Sequence, residues 1–150
     1  MSFHRLIASR SIVAAAIPAL VLVIAGTAAL AQSFPLGQVL VLEAPRIGSL
    51  KRVPVITTET DGSATIDLWC KTVPARLTVE GAALRIETAP LPDALPLYMM
   101  SGQCTDERIQ ADVATLAALT QVSGWQRHGD RVALSGPDGA PALRFSLSSH

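Results

Sequence analysis

Hydrophobic residues recur mainly at every second position from Phe34 onward, and this period is typical of β-strands with one face in a core. Three early segments show it: GQVLVLEAP with an apolar run at Val39 to Leu42, VPVITTE around Val53, Val55 and Thr57, and ATIDLWC with Ile66 and Leu68. The pairs Ala44-Pro45, Asp61-Gly62 and Glu80-Gly81 separate such segments and favour turns. A chain with this pattern is expected to fold around a sheet.

The clearest hairpin lies in ARLTVEGAALRIETAP. Leu77 and Val79 alternate with polar residues before Gly81, and Leu84 and Ile86 do so after it. Two alternating runs on either side of a glycine turn predict paired antiparallel strands with one apolar face.

A proline-rich stretch, PLPDALPLYMMSGQ, follows this hairpin. Proline offers no main-chain N–H to a sheet, so Pro90 to Pro96 is predicted to be a connector with one helical turn near Asp93 to Leu95. Tyr98, Met99 and Met100 are expected to pack the connector against the domain. A copper site at the adjacent methionines would need further soft ligands, so no such site is predicted.

The segment CTDERIQADVATLAALTQVSG predicts a helix. Thr105 is a suitable N-cap, and Asp106 and Glu107 are favoured at the positive end of the helix dipole. Gly124 offers the left-handed position that often follows a helix. The helix is therefore expected to run from about Asp106 to Ser123.

This helix is predicted to bury one apolar stripe. The members of the stripe follow the helical period and are Ile109, Val113, Leu116, Ala117 and Thr120. Gln110 and Asp112 face away from the stripe, so both side chains are expected to be in solvent.

Alternation returns after the helix, in GWQRHGDRVALSGPDGAPALRFSLS. Strands are predicted at Trp125 to Arg127, Arg131 to Ser135 and Ala142 to Leu147, with turns at 128–130 and 136–141. The apolar side chains of the last strand share one face and are Leu143, Phe145 and Leu147. These strands form a predicted three-stranded meander.

The N-terminus has the pattern of a secretion signal. Arg5 and Arg10 are the only charges before a mostly apolar run from Ser11 to Ala31, which closes on the small-x-small triplet Ala29-Leu30-Ala31. Residues 1–31 are therefore interpreted as a signal peptide cut after Ala31, and residues 32–150 as a single domain. An uncleaved anchor over residues 11–31 is the alternative, because about 20 apolar residues can span a bilayer.

The charge balance argues against a nucleic-acid-binding protein. The chain has 12 basic and 12 acidic residues, and the predicted leader holds two of the basic ones, so the remaining 119 residues carry a net charge of −2. A faintly acidic surface does not attract a phosphate backbone, and Lys51-Arg52 is the only basic pair in this part.

Cys70 and Cys104 are the only cysteines, and both follow the predicted leader. An even count in an exported protein predicts a disulfide between them. On the chain-entropy model, closing a loop of about 35 residues stabilises the fold by about 3.5 to 4 kcal/mol. A redox-active pair is the alternative, but such cysteines normally lie two residues apart at a helix start.

No catalytic constellation is evident in the sequence. It lacks the nucleophile-elbow, P-loop, dinucleotide-binding and HExxH motifs. His4 falls in the predicted leader, His150 is the last residue, and His128 lies in a predicted turn beside Gly129 and Asp130. No catalytic residue, cofactor or metal site is therefore predicted, and a hydrolase with His128 as its base is the least favoured hypothesis.

Several spaced motifs carry a family resemblance: CTDER, LAALTQVSGW, GDRVALSG and ALRF. They place a cysteine before a helix with Leu116 and Leu119, then Trp125 at a strand start, then two strands that end on Leu143 and Phe145. This order resembles the META domain, the small sheet-rich module of HslJ-type bacterial envelope proteins. The resemblance covers roughly residues 68–145, and DLWC at 67–70 looks like the variant of exported alphaproteobacterial proteins. Better-known members have a GCN-like stretch where this chain has LWCKT.

We therefore expect an α+β domain: a curved, mostly antiparallel sheet or partly open barrel covered by one helix, with Trp69 and Trp125 in its core. The resemblance implies a role in the cell envelope and in stress resistance. The leading hypothesis is an exported periplasmic or envelope-associated protein that is non-catalytic, uses no cofactor and binds an envelope protein or another envelope component. It would meet the membrane only if the leader is not cleaved.

The second hypothesis is a periplasmic small-molecule binder or an inhibitor of a periplasmic enzyme. Such a protein would use the open end of the barrel or an exposed loop such as Pro90 to Gln103.

Overall fold

The computed structural model describes residues 32–48, 52–94, 102–139 and 141–148. In these ranges the elements are, in chain order, β1 (Val39–Leu42), β2 (Val55–Thr58), β3 (Ser63–Asp67), β4 (Thr72–Glu80), β5 (Ala83–Thr88), α1 (Asp106–Thr120), β6 (Gly124–His128), β7 (Arg131–Ser135) and β8 (Pro141–Leu147). The predicted signal peptide (1–31) and the alternative anchor (11–31) lie outside these ranges. No helix in the described ranges is both long and apolar enough to cross a membrane.

The strands form a closed antiparallel barrel in the order β1 to β8. Each strand pairs with the next, and β8 pairs with β1 through Leu40↔Leu147 and Leu42↔Phe145, which completes the ring. The expected α+β fold with an antiparallel sheet and one covering helix is confirmed, and the sheet closes fully rather than partly.

One junction of the barrel is much shorter than the others. β5 and β6 share a single register pair, Ala83↔Gly124. Two further main-chain hydrogen bonds flank it: Leu84 donates to the Ser123 carbonyl at 3.1 Å, and Trp125 donates to the Ala82 carbonyl at 3.1 Å. Beyond this point no residue of β6 pairs with β5, and β5 contacts α1 instead.

Apolar side chains from every strand fill the barrel. The most deeply buried strand residues are Leu40, Ile56, Ile66, Val73, Leu84, Val132, Leu134 and Phe145, each at most 2% exposed. Trp69 and Trp125 belong to this core, as expected. The ring of Phe34 meets the Trp125 ring edge-on, with centroids 5.2 Å apart, at one end of the barrel.

The hairpin and the meander form as predicted. Leu77 pairs with Ile86 and Val79 with Leu84 across the β4–β5 hairpin. In the meander, Phe145 is buried, and Leu143 and Leu147 are partly buried against the core.

The predicted inward face of β2 is wrong. Ile56 and Thr58 are buried, whereas Val55 and Thr57 are only partly so. Both faces of VITT carry residues that suit a sheet, so alternation alone does not choose between them. The Thr58 hydroxyl can be buried because it donates to the Gln38 carbonyl at 2.9 Å and accepts the Gln38 N–H at 3.2 Å.

The helix begins at Asp106 as predicted but ends at Thr120, three residues early. Thr105 occupies the N-cap position in extended conformation without a side-chain capping hydrogen bond. The main-chain N–H of Ser123 donates to the Ser135 carbonyl of β7 at 2.9 Å, so sheet pairing replaces the last helical turn. Gly124 is consequently a strand residue, and the predicted left-handed cap at Gly124 is wrong.

The predicted buried face of the helix is wrong except at Leu116, which is buried as predicted, and at Ile109, which is partly buried. The buried residues of the helix are Arg108, Asp112, Thr115, Leu116 and Leu119. Val113 is 55% exposed, and Ala117 and Thr120 are exposed, whereas the side chain of Asp112 is fully buried. Arg108 and Asp112 can lie on the buried face because main-chain groups of nearby loops form hydrogen bonds with both side chains.

The proline-rich connector is described only in part. Pro90 to Ala94 form no helix or strand. Leu95 to Ser101, which include Tyr98, Met99 and Met100 and their predicted packing, lie outside the described residues.

Candidate functional site

The Cys70–Cys104 disulfide is present, as predicted, and joins the β3–β4 loop to the residues before α1. The two Cα atoms lie 5.7 Å apart, within the usual range for such a bond. Cys70 is fully buried and Cys104 is partly exposed. A disulfide of this kind places the protein in an oxidising compartment outside the cytoplasm.

Asp112 binds the same β3–β4 loop through its carboxylate. Oδ1 accepts the N–H of Trp69 at 2.8 Å, and Oδ2 accepts the N–H groups of Cys70 at 3.1 Å and Lys71 at 3.0 Å. Three consecutive main-chain donors thus converge on one side chain, in the way that a backbone nest holds an anion. The loop is fixed to the helix noncovalently by Asp112 and covalently by the disulfide.

Burial raises the pKa of Asp112 above its ordinary value of 3.8. The hydrogen bonds from Cys70, Trp69 and Lys71 act in the opposite direction, as does the positive charge of Lys71, but their effect is smaller. A buried carboxyl with a raised pKa is a common candidate for acid–base chemistry. Here the hydrogen bonds of Asp112 support a structural role, since its oxygens already accept three donors of the loop.

Arg108 lies one helical turn before Asp112 and is equally enclosed. Its Nε donates to the Ile47 carbonyl at 3.0 Å, its Nη2 donates to the same carbonyl, and its Nη1 donates to the Gln103 carbonyl at 2.8 Å. The guanidinium therefore joins the loop after β1 to the segment before α1.

A groove of about 640 Å³ runs outside the barrel between the β4–β5 hairpin and the C-terminal end of α1. Its polar lining residues are Thr78, Glu80, Arg85, Glu87, Thr120 and Ser123. Arg85 Nη1 lies 3.6 Å from Glu87 Oε1. We call this surface the β5 groove.

A second cavity, of about 390 Å³, lies beside Trp125 at the end of the barrel. Its lining includes Gly81, Ala82, Arg127, His128 and Gln32, and most of it is apolar. We call it the Trp125 cleft. His128, the candidate base of the least favoured hypothesis, is exposed at its rim.

Sequence reasoning found the disulfide and the buried tryptophans but missed Asp112, Arg108 and both cavities. Asp112 stands in no motif, Arg108 appears only as the last residue of CTDER, and each side chain binds a loop distant in sequence. In the described part of the chain, no group of three or more His, Cys, Asp or Glu side chains is placed to hold a metal ion.

No protein-family model matches the chain, and no curated protein is significantly similar to it. Among solved structures, the chain is similar to one described as a DUF4847 family protein from Bacteroides vulgatus, at 15% identity and a TM-score of 0.46. The similar region covers 65% of this chain and 60% of that protein, so it spans less than two thirds of the length of its structural neighbour.

Proposed function

We propose that this chain is an exported periplasmic or envelope-associated module, related to the META domain, that acts by binding another protein of the envelope rather than by catalysis. The disulfide between Cys70 and Cys104 supports export, because such bonds persist in oxidising compartments. The leader-like residues 1–31 supply a route to the periplasm.

The β5 groove is the observation that carries the binding function. Side chains fill the barrel, so a partner would meet the domain on its outside, and this groove is large enough for several residues of a partner chain. Glu80 and Glu87 place two carboxylates in it against the single guanidinium of Arg85, which lies close to Glu87. Glu80 forms no ion pair within the described residues. The groove therefore suits a protein segment that presents a lysine or arginine to the carboxylates. Next to this residue, the segment would carry groups that can form hydrogen bonds with the threonine and serine hydroxyls of the groove.

Site-specific photo-crosslinking in the native cells tests this function. A photoreactive side chain at Thr120, in the groove, should yield one discrete protein adduct, whereas the same side chain at Val113, exposed on the same helix but outside the groove, should not. Glu80→Lys should abolish the Thr120 adduct, and Glu59→Lys, an equal charge change at an exposed site outside the groove, should leave it unchanged.

Adducts of equal yield at Thr120 and Val113, or an adduct that survives Glu80→Lys, would contradict the proposed binding surface. Terminal sequencing of the same purified protein examines export separately. A mature chain that begins at Gln32 supports the signal peptide, and a chain that retains residues 11–31 supports the anchor.

A further inference from the structure

We propose that the Trp125 cleft binds a small organic anion with an apolar body, such as a medium-chain carboxylic acid. This site lies at the end of the barrel and is independent of the β5 groove, so it can be tested whether or not the groove binds a protein.

The cleft exists because β6 extends past its partner strand. Its only register pair with β5 is Ala83↔Gly124, and the β4–β5 turn at Gly81 and Ala82 ends beside Trp125. Main-chain groups alternate in direction along an antiparallel strand. The N–H of Trp125 donates toward this turn, to Ala82, so the N–H of Arg127 points to the same side, where β6 has no neighbouring strand.

The inner wall of the cleft is apolar and rigid. Trp125 is 5% exposed, its Nε1 donates to the Gly81 carbonyl at 2.9 Å, and the Phe34 ring packs edge-on against it. Because the indole N–H already has its partner, the indole offers a ligand mainly carbon surface. The volume of about 390 Å³ lies within the range of small-molecule pockets, roughly 300–1,000 Å³.

Arg127 supplies the positive charge. Its Nε donates to the Gly129 carbonyl at 2.8 Å, which orients the guanidinium and leaves the two Nη groups for a ligand. Arg127 also lines an adjoining cavity of about 380 Å³ with Gln32, Ser33 and Gly129. No described carboxylate lies within ion-pair distance of Arg127, and this includes Asp130 in the next turn.

These features select one ligand chemistry. A carboxylate or sulfonate would accept hydrogen bonds from the Arg127 guanidinium and from its main-chain N–H, while an apolar body would contact Trp125 and Ala82. A guanidinium binds such oxyanions with two parallel hydrogen bonds, which an alcohol cannot reproduce.

Energy transfer from Trp125 to 8-anilinonaphthalene-1-sulfonate provides the test, since this probe combines an apolar body with a sulfonate. The oxidised protein carries Trp69→Phe, so that Trp125 is its single tryptophan. We expect saturable transfer with one probe per chain and displacement of the probe by octanoate. Octanol has the same chain length without the charge, and about a tenfold higher concentration of octanol than of octanoate should be needed to displace the same fraction of the probe.

Arg127→Gln should weaken probe and octanoate binding by about tenfold, and Arg144→Gln, which removes an exposed arginine from β8, should leave both unchanged. Ala82→Phe blocks the cleft without a change of charge and should abolish binding, so the test does not depend on the folding of one variant. Non-saturable transfer, equal displacement by octanol and octanoate, or full binding by folded Arg127→Gln or Ala82→Phe would overturn the proposal.

Discussion

The carboxylate of Asp112 accepts the main-chain N–H of Cys70 at 3.1 Å, so the residue that bonds covalently to Cys104 is also bound by the helix that Cys104 precedes. Two different interactions thus fix the same short loop to α1. Their contributions can be separated by experiment, because one depends on redox state and the other on a single side chain.

Asp112→Ala is expected to destabilise the protein by about 3 kcal/mol, because it leaves two buried N–H groups and one partly buried N–H group without their acceptor. The change is measured as the free energy of unfolding in urea, with the disulfide intact. Gln110→Ala, at an exposed position of the same helix, should change it by less than about 0.5 kcal/mol. Equal effects of the two substitutions would contradict the role assigned to Asp112.

The stability of the protein should also depend on pH through Asp112, whose pKa burial raises above 3.8. The protonated carboxyl is favoured in the folded state, so its stabilising contribution is complete below the unfolded pKa and is lost as the pH rises through the raised folded pKa. The free energy of unfolding of the wild type should therefore exceed that of Asp112→Asn by more at about pH 4 than at about pH 7, because the asparagine side chain does not titrate in this range. Urea unfolding of both proteins across this range provides the measurement, and a constant or reversed difference would exclude the linkage.

Removal of the disulfide in Cys70→Ser/Cys104→Ser should lower the free energy of unfolding by about 3.5 to 4 kcal/mol, because the unfolded chain regains the entropy of an open loop. Thiol titration of the oxidised, denatured wild type should find no free thiol. Two reactive thiols per chain would disprove the bond.

Arg108→Met should lower the free energy of unfolding by about 2 kcal/mol, since the carbonyls of Ile47 and Gln103 lose the charged hydrogen-bond donor that the buried Arg108 side chain supplies. Arg108→Lys keeps the charge but cannot span both carbonyls, so its stability should fall between that of the Arg108→Met variant and that of the wild type when melting is followed by circular dichroism. A fully stable Arg108→Met protein would show that these hydrogen bonds contribute little.

Gly62→Ala should be the most damaging of the glycine substitutions in turns. Gly62 has a φ of +84°, and a Cβ there would lie 2.5 Å from the Leu77 carbonyl oxygen, which belongs to rigid backbone. Gly81→Ala is a matched control, with a φ of +60° and open space around the new Cβ, and should cost about 1 kcal/mol. Comparable melting temperatures for the two variants would contradict this difference.

Local pattern was sufficient to predict the strands and the start of the helix. Leu77 and Ile86 alternate with polar neighbours and do pair across a hairpin, and Asp106 begins the helix after Thr105. The disulfide followed from cysteine number and the predicted compartment. The strands and the helix start depend on conformational preferences of residues that are close together in the sequence. The disulfide depends on covalent chemistry between the two cysteines.

The buried face of the helix could not be predicted in this way, because it depends on partners distant in the chain. Asp112 binds Trp69 from 43 positions away, and Arg108 binds Ile47 from 61 positions away. An isolated charge is ordinarily solvated, so hydropathy placed Val113 inside and Asp112 outside. The end of the helix was missed for a similar reason, since Ser123 bonds to Ser135 of a strand formed later in the chain.

The short junction between β5 and β6 also bears on how the barrel comes apart. One register pair and two flanking hydrogen bonds join these strands, so packing of α1 along β5 supplies much of the contact that keeps the ring closed there. Partial unfolding should accordingly start with detachment of the C-terminal half of α1, ahead of the longer ladders on either side. The covalent bond at Cys104 limits how far the start of the helix can then move from the β3–β4 loop, which favours return to the closed ring over exchange of strands with another molecule.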